Sequence, residues 1–145
     1  MSQENVEIVR RALEAFDRGE LSEGLAVMSE DLEWLPPPHA LDGVSYSGQE
    51  GYAEWFDGLN NTWSRLDLAW TLSDPGGEQV IGQFNGEFVG RQSGAPIHQR
   101  FWIVYWLAGG KITRGQAFPS EAEALEAVGL SEQDAHADAG RRRRP

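Results

Sequence analysis

Two residues at the start of the longest apolar run carry side chains that could do chemistry. The run is IHQRFWIVYWL, residues 97–107, and His98 and Arg100 lie at its polar end. Histidine titrates near neutral pH, which makes His98 a candidate general acid or base. The guanidinium of Arg100 could bind a carboxylate, an enolate or a carbonyl oxygen. The alternatives are a His98 at the surface or at a capped strand start, and an Arg100 paired with an acid such as Glu33 or Glu87.

Glu33 and His39 are also candidates for chemistry. Glu33 lies between Leu32 and Trp34 in a short apolar segment, so it faces outward if those two residues face the core. His39 follows the proline run 36–38, in a loop that would rim a cavity. Such a histidine can serve as a lid or a ligand, or it can simply be solvated.

The sequence lacks the residue patterns of several other kinds of site. It has no cysteine, and its three histidines have no carboxylate at a ligand spacing, so we predict no metal site. The glycines are scattered in turns and form no phosphate-binding loop. No serine lies in a nucleophile-elbow context. We therefore expect no cofactor.

Hydrophobic spacing predicts the elements that must position these residues. Helical spacing predicts helices over 4–18, 21–29, 49–61 and 120–129, the last with Ser120 as N-cap and Glu123 in a capping box. A short strand over 32–35 stops at the prolines, and period-two alternation predicts long strands over 66–72, 78–91, 97–107 and 111–118. Tight turns join the long strands into an antiparallel meander. The prediction is an α+β domain in which helices cover one face of a curved sheet, and the sheet wraps around the long first helix and leaves a conical cavity.

Composition limits the class of protein and its partners. The chain has 145 residues, of which 40% are hydrophobic, and we assign residues 1–130 to one domain. Residues 131–145 form a polar tail that ends in Arg141 to Arg144, and we expect disorder there. A net charge of −11 argues against nucleic acid or an anionic membrane as partner. No run approaches a membrane span, and the start MSQENVEIVRR has no apolar signal region, so we expect a cytoplasmic protein.

Four segments, in this order, resemble the SnoaL-like branch of the nuclear-transport-factor-2-like superfamily. They are ENVEIVRRALEAFDRGEL, DLEWLPP, SGQEGYAEWF and HQRFWIVYWLAGGKITR, and the resemblance covers residues 3–130. It implies a pocket open at one end of a cone and a homodimer formed through the other face of the sheet. The superfamily includes polyketide cyclases, ketosteroid isomerases, epoxide hydrolases, dehydratases and non-catalytic members. Activity must therefore be argued from the pocket residues.

The resemblance does not extend to the catalytic groups of the ketosteroid isomerases. Those enzymes need a carboxylate base and two oxyanion donors, a tyrosine and a protonated aspartate, in an apolar pocket. Alignment at DRGEL puts Ala12 in place of the tyrosine. Alignment at the first-strand proline puts Leu35 in place of the base, and alignment at GGK puts Trp102 in place of the aspartate. We expect no chemistry of that kind here.

The same hairpin alignment implies which side chains enter the cone. It turns His98, Arg100, Trp102 and Val104 toward the cavity, with Gly115, Ala117 and Pro119 beside them. Phe101, Ile103 and Tyr105 then face a second subunit. The expected pocket lining is Phe16, Trp34, Trp55, Phe56, Leu59, Phe84, Trp102, Val104 and Ala117. Such walls suit a small, flat, mostly apolar ligand.

Three functions fit these expectations. The first is an enzyme that acts on a small hydrophobic ketone, lactone or polycyclic substrate by proton transfer or addition of water, with His98 and Arg100 as its polar pair. The second is a non-catalytic ligand-binding or dimerising module, and the third is a structural domain whose cone is filled by side chains. The enzyme requires His98 and Arg100 to converge on one cavity, so a His98 on the outer sheet face would remove that assignment.

Overall fold

A computed structural model describes residues 2–37 and 45–130, and the predicted elements occur there in the predicted order. The helices are α1 (Ser2–Arg18), α2 (Leu21–Leu25), α3 (Gly48–Thr62) and α4 (Glu121–Ala127). The strands are β1 (Met28–Leu35), β2 (Tyr46–Ser47), β3 (Trp63–Ser73), β4 (Gln79–Gly90), β5 (Pro96–Ala108) and β6 (Lys111–Phe118). His39 and the polar tail lie outside the described residues.

The described strands form one sheet in the order β2-β1-β6-β5-β4-β3. The meander from β3 to β6 is antiparallel, as the alternation and the tight turns predict. β1 pairs in parallel with β6, so the sheet is mixed rather than wholly antiparallel. The sheet is curved and does not close into a barrel. Its concave face is therefore left to be covered by helices.

Helices α1 and α3 cover the concave face, and the domain core lies between them and the sheet. On α1, Val9, Ala12 and Leu13 are buried at the helical spacing that predicted the helix. The indole Nε1 of Trp70 on β3 donates a 3.1 Å hydrogen bond to Asp17 near the end of α1. The contact fixes the end of α1 against an edge strand.

Helix α4 packs on the opposite, convex face, where the prediction of helices on one face is wrong. Ala124 and Leu125 are buried against Ile81 of β4 and Val104 of β5. The predicted N-cap is confirmed, because Ser120 accepts a 3.2 Å hydrogen bond from the backbone N–H of Glu123. The Glu123 carboxylate accepts from the Ser120 hydroxyl at 3.0 Å, which completes a variant of the capping box.

The second helix is shorter than predicted, and the first strand is longer. α2 ends at Leu25 instead of about 29, and Met28 already belongs to β1. The cause lies far away in sequence, because Val27 accepts a backbone hydrogen bond from Ile112 at 2.9 Å and Met28 pairs with Ile112. Pairing with β6 therefore overrides the local helical spacing.

Candidate functional site

The candidate site is a cavity of about 170 Å³ between α1, α3 and the concave face of the sheet. Among the predicted lining residues, Phe16, Trp34, Trp55, Leu59 and Phe84 lie on its wall. They come from four separate elements, which the curvature of the sheet brings around one space. The wall is built almost wholly from apolar and aromatic side chains.

Aromatic contacts hold the helical side of this wall together. Phe16 on α1 stacks on Trp55 of α3 with ring centroids 5.9 Å apart, and the rings of Trp55 and Trp34 meet edge-on at 5.1 Å. Phe56, which the sequence predicted in the lining, packs edge-on against Phe16 at 5.7 Å and does not reach the cavity. Rings at these separations attract one another, so the helix side is a stable platform.

The predicted orientation of β5 is wrong by one residue. Phe101, Ile103 and Tyr105 line the cavity, whereas Trp102 and Val104 pack on the convex face beside α4. Because side chains alternate along a strand, a shift of one residue moves every side chain to the other face. Two exposed residues, Ile97 and Gln99, continue the inner row to the rim of the cavity.

A β-bulge in β6 explains the error. A regular hairpin closed by Gly109 and Gly110 would pair Val104 with Gly115 and place both on one face. The register instead shifts between Trp106 and Leu107, and Gly115 pairs with Tyr105. One extra residue on β6 therefore changes which β5 residues share a face with Gly115, from the even-numbered to the odd-numbered positions. On β6 the prediction agrees with the structure, because the buried Ala117 pairs with the inner residue Ile103, although Ala117 does not touch the cavity.

His98 and Arg100 lie on the convex face and do not enter the cavity. The His98 side chain is 78% exposed, and its Nε2 lies 3.1 Å from a carboxylate oxygen of Glu87. The Nε of Arg100, also exposed, donates to the amide oxygen of Asn85 at 3.2 Å. The two side chains therefore engage neighbours on β4 rather than one another. The enzyme hypothesis required His98 and Arg100 to converge on one cavity, and they do not.

Glu33 also faces away from the cavity, as the alternative for that residue anticipated. It forms an ion pair with Arg114 on the adjacent strand β6. Arg114 in turn donates to the side-chain oxygen of Gln116 at 2.8 Å and lies 5.4 Å from the ring centre of Trp106. Arg114, rather than Arg100, is therefore the arginine that pairs with Glu33.

The polar groups that do line the cavity are hydroxyl, indole and amide groups. Tyr52 and Tyr105 are both buried, and burial raises the pKa of each well above its usual range. The neighbouring Tyr52 adds to the shift of Tyr105. The Nε1 atom of Trp34 is buried and has no hydrogen-bond partner within the described part of the chain. Apart from the two tyrosines, the described lining residues include no ionisable side chain.

Tyr52 and Tyr105 were not among the predicted site residues, although the sequence carries one signal for Tyr105. Along β5 the odd positions 101, 103, 105 and 107 are all apolar or aromatic, while the even positions include Arg100. Before Phe118, the small or apolar residues of β6 fall at 112, 115 and 117, and the break from a spacing of three to a spacing of two is typical of a bulge.

The residues aligned with the ketosteroid isomerase groups supply no acid or base. Ala12 lies on the cavity wall, while Leu35 and Trp102 do not line it. The residues on either side of Trp102, Phe101 and Ile103, are both apolar. A slip of one residue on β5 therefore does not provide the missing acidic donor.

In 2–37 and 45–130, no group of three histidine, aspartate or glutamate side chains is placed to hold a metal ion. Over the same residues, no helix combines the length and the apolar character needed to cross a membrane.

Several solved structures share the fold of this chain. An NTF2-like protein of unknown function from Burkholderia pseudomallei superimposes with a TM-score of 0.71 at 18% identity, covering 89% of this chain and 98% of the other. A putative polyketide cyclase from Xanthomonas campestris gives 0.71 at 20% identity, covering 88% and 98%. TerC, co-crystallised with polyporic acid, gives 0.70 at 19% identity, covering 87% and 98%. At these identities the likeness shows a shared fold.

The sequence comparisons identify the family. An uncharacterised protein of Mycobacterium tuberculosis H37Rv is 30% identical over 129 residues, which cover 84% of this chain and 93% of the relative. An uncharacterised protein of Mycobacterium bovis matches to the same extent. The model of the SnoaL-like domain matches residues 9–115, which run from the middle of α1 into β6. The chain therefore belongs to the SnoaL-like family, as its four sequence segments predict, and its fold is that of NTF2-like proteins.

Proposed function

We propose that this protein binds a small, uncharged, mostly apolar molecule in the cone and does not itself transform it. The observation that carries the proposal is the chemistry of the cavity wall. Apolar and aromatic side chains surround the space, and the described lining holds no carboxylate, imidazole, amine or guanidinium. A concave, mainly apolar pocket with a few polar groups is the usual form of a small-molecule site.

The cavity volume limits the size of the ligand. About 170 Å³ is available, and an apolar cavity of about 150 Å³ is large enough to hold benzene. A molecule with one ring and a short substituent therefore fits the space as it stands. The same volume argues against a cone filled entirely by its own side chains.

Proton-transfer catalysis has less support than binding. A general acid or base must lie within hydrogen-bond reach of the reacting atom. His98 and Arg100 lie on the other face of the sheet, and burial raises the pKa of Tyr52 and Tyr105 away from the range of a useful base. Among fold neighbours, one is described as a putative polyketide cyclase and another was crystallised with polyporic acid. They support small organic molecules as the first ligands to test.

A cavity-filling variant tests the proposal. Ala12 is 4% exposed and lines the cavity, so Ala12→Leu adds three carbon atoms to the binding space. Ala127→Leu makes the same change on the exposed side of α4 and is the matched control. We expect calorimetry to show that toluene or acetophenone binds to the unmodified protein and to Ala127→Leu. We expect binding to weaken by about tenfold or more in Ala12→Leu.

Thermal unfolding serves as the check on folding. Ala12→Leu should unfold near the temperature of the unmodified protein without ligand, because the added group enters existing space. Failure of every small aromatic probe to bind to the unmodified protein would contradict the proposal. If a folded Ala12→Leu variant binds the probes with the same affinity as the unmodified protein, the ligand binds outside this cavity.

We also propose a homodimer formed through the convex face of the sheet. Phe101, Ile103 and Tyr105 cannot form that contact because they face the cavity. Half-buried Trp102 and Trp106 on β5 supply apolar surface there instead. Sedimentation equilibrium at micromolar concentration should give twice the chain mass of 16.1 kDa. A monomer mass would refute the dimer, and the cytoplasmic location stays a prediction from the sequence.

A further inference from the structure

We propose that the ligand carries an uncharged carbonyl oxygen, and that the indole N–H of Trp34 and the hydroxyls of Tyr52 and Tyr105 hold that oxygen in the cavity. This inference deepens the proposed function and rests on it. It narrows the proposed ligand from any small apolar molecule to a small aromatic or alicyclic ketone. The three residues come from β1, α3 and β5, and all three line the cavity.

The indole of Trp34 is a buried donor without an acceptor. The residue is 5% exposed, and its Nε1 atom has no hydrogen-bond partner among residues 2–37 and 45–130. A buried polar group normally finds a partner, because leaving it unpaired costs stability. An indole N–H can only donate, so the missing partner must be an acceptor atom. A ligand oxygen meets that requirement.

Gly115 fixes the orientation of this indole. A Cβ atom on Gly115 would lie 2.5 Å from Cζ3 and 2.7 Å from Cε3 of Trp34, closer than real Cβ atoms come. The benzene edge of the indole therefore rests on the bare backbone of β6. The N–H lies on the opposite edge of the ring system from Cε3 and Cζ3, away from the Gly115 backbone.

The two tyrosines flank the same indole. The ring centroids of Trp34 and Tyr52 lie 5.4 Å apart, and those of Trp34 and Tyr105 lie 6.4 Å apart. Burial keeps both phenols protonated, since it raises the pKa of each. Each hydroxyl therefore remains a donor at neutral pH, and the three rings that carry the donors are neighbours in the cavity wall.

The balance of groups selects a neutral oxygen over a charged one. The described lining contains no cation to pair with a carboxylate or phosphate and no carboxylate to pair with an amine. Burying an unpaired charge in such a space is strongly unfavourable. A carbonyl oxygen is uncharged and has two lone pairs that can accept from these donors. A neutral ketone is the chemical class that satisfies both conditions.

A pair of probes of equal shape tests the inference. Acetophenone and α-methylstyrene differ only in C=O against C=CH2, and benzoate adds a charge to a similar frame. We expect acetophenone to bind about tenfold more tightly than α-methylstyrene, and benzoate to bind more weakly than either. In the ¹H–¹⁵N spectrum, acetophenone should move the Trp34 indole signal downfield, and α-methylstyrene should not. Trp34→Phe identifies that signal among the six tryptophans.

Two matched variants locate the hydroxyl contribution. Tyr105→Phe should lower the affinity for acetophenone about tenfold and leave the affinity for α-methylstyrene unchanged. Tyr46→Phe, a half-buried tyrosine on β2 that does not line the cavity, should change neither affinity. Tyr105→Phe should also keep or raise the unfolding free energy without ligand, because it removes a buried hydroxyl. Loss of a tyrosine with only a structural role would not weaken the binding of acetophenone while leaving that of α-methylstyrene unchanged.

The outcomes separate this inference from the proposed function. If acetophenone and α-methylstyrene bind equally, the cavity binds apolar molecules but the oxygen site is refuted. If benzoate binds more tightly than acetophenone, the preference of the site for an uncharged oxygen is refuted. If neither neutral probe binds, the proposed function fails and this inference fails with it.

Discussion

The two faces of β5 carry opposite kinds of chemistry. The convex face presents His98 and Arg100, the residue types most often found in catalysis, yet both are exposed and engage Glu87 and Asn85 on the next strand. The concave face presents the apolar row that ends in Tyr105, and it lines an enclosed space. Reactive residue types and the cavity are therefore separated by the thickness of one sheet. Orientation, rather than residue type, therefore decides which groups can act on a bound molecule.

The difference between the faces also has an energetic side. Inner residues such as Phe101 and Ile103 are about 95% buried, so removing them from water contributes to folding. The ion pairs of the outer face are exposed, and exposed pairs contribute little to stability. We therefore expect substitutions at neighbouring positions of one strand to differ sharply in effect.

The largest expected effect is the loss of a ring from the inner face of β4. Phe84 is fully buried and stacks on Phe101, with ring centroids 5.0 Å apart and planes 2° apart. We expect Phe84→Ala to lower the unfolding free energy by about 3–5 kcal/mol in urea denaturation, through lost burial and a larger cavity. Asn85→Ala, one residue further along on the outer face, should change it by less than about 0.5 kcal/mol. Similar losses in both variants would abolish the distinction between the faces.

The fold could be predicted from the sequence because its signals are local and repeated. The bounds of β6 match the prediction, since a tight turn at Gly109 and Gly110 precedes it and the prolyl residue Pro119 follows it. Helical spacing predicts α1, and the helix ends at residue 18 as predicted, where Gly19 follows with a φ of 71°. Such features depend on neighbouring residues, which the sequence shows directly.

The site could be predicted only in part because it depends on long-range pairing. The helical wall, with Phe16 and Trp55, follows from which face of α1 and α3 is apolar. The sheet wall depends on the register of β5 against β6, and one bulged residue reversed it. The predicted length of α2 was wrong for the same reason, because the pairing of Met28 with Ile112 draws residue 28 into β1. A count of residues from a turn does not reveal a bulge unless the apolar spacing of both strands is compared.

An intermediate effect should appear at alkaline pH and should come from the inner face alone. An ordinary tyrosine titrates near 10.0, and burial raises the pKa of Tyr52 and Tyr105 above that value in the folded state. Above pH 10 the unfolded chain loses these protons while the folded chain keeps them, so stability falls as pH rises. Each tyrosine should lower the unfolding free energy by up to about 1.4 kcal/mol per pH unit in that range.

Phenylalanine variants separate this effect from general alkaline unfolding. Chemical denaturation between pH 9 and 11 should show a smaller decline for the double variant Tyr52→Phe with Tyr105→Phe than for the unmodified protein. Tyr46→Phe is the matched control on the short strand β2, outside the cavity wall. An unchanged decline in the double variant would mean that other groups cause it, and that the inner phenols are accessible to solvent in the folded state.

The smallest expected effect concerns the outer face and is the most direct test of the comparison. His98→Ala and Arg100→Ala remove exposed side chains that contact one neighbour each, so we expect unfolding free energies within about 0.5 kcal/mol of the unmodified protein. Acetophenone affinity, measured by calorimetry, should also stay the same in both variants, because neither side chain lines the cavity. Gln99→Ala is the informative companion, since Gln99 lies between them in sequence but reaches the cavity rim. A tenfold loss in His98→Ala with no loss in Gln99→Ala would mean that β5 presents its other face to the ligand, and the inner-face site would have to be abandoned.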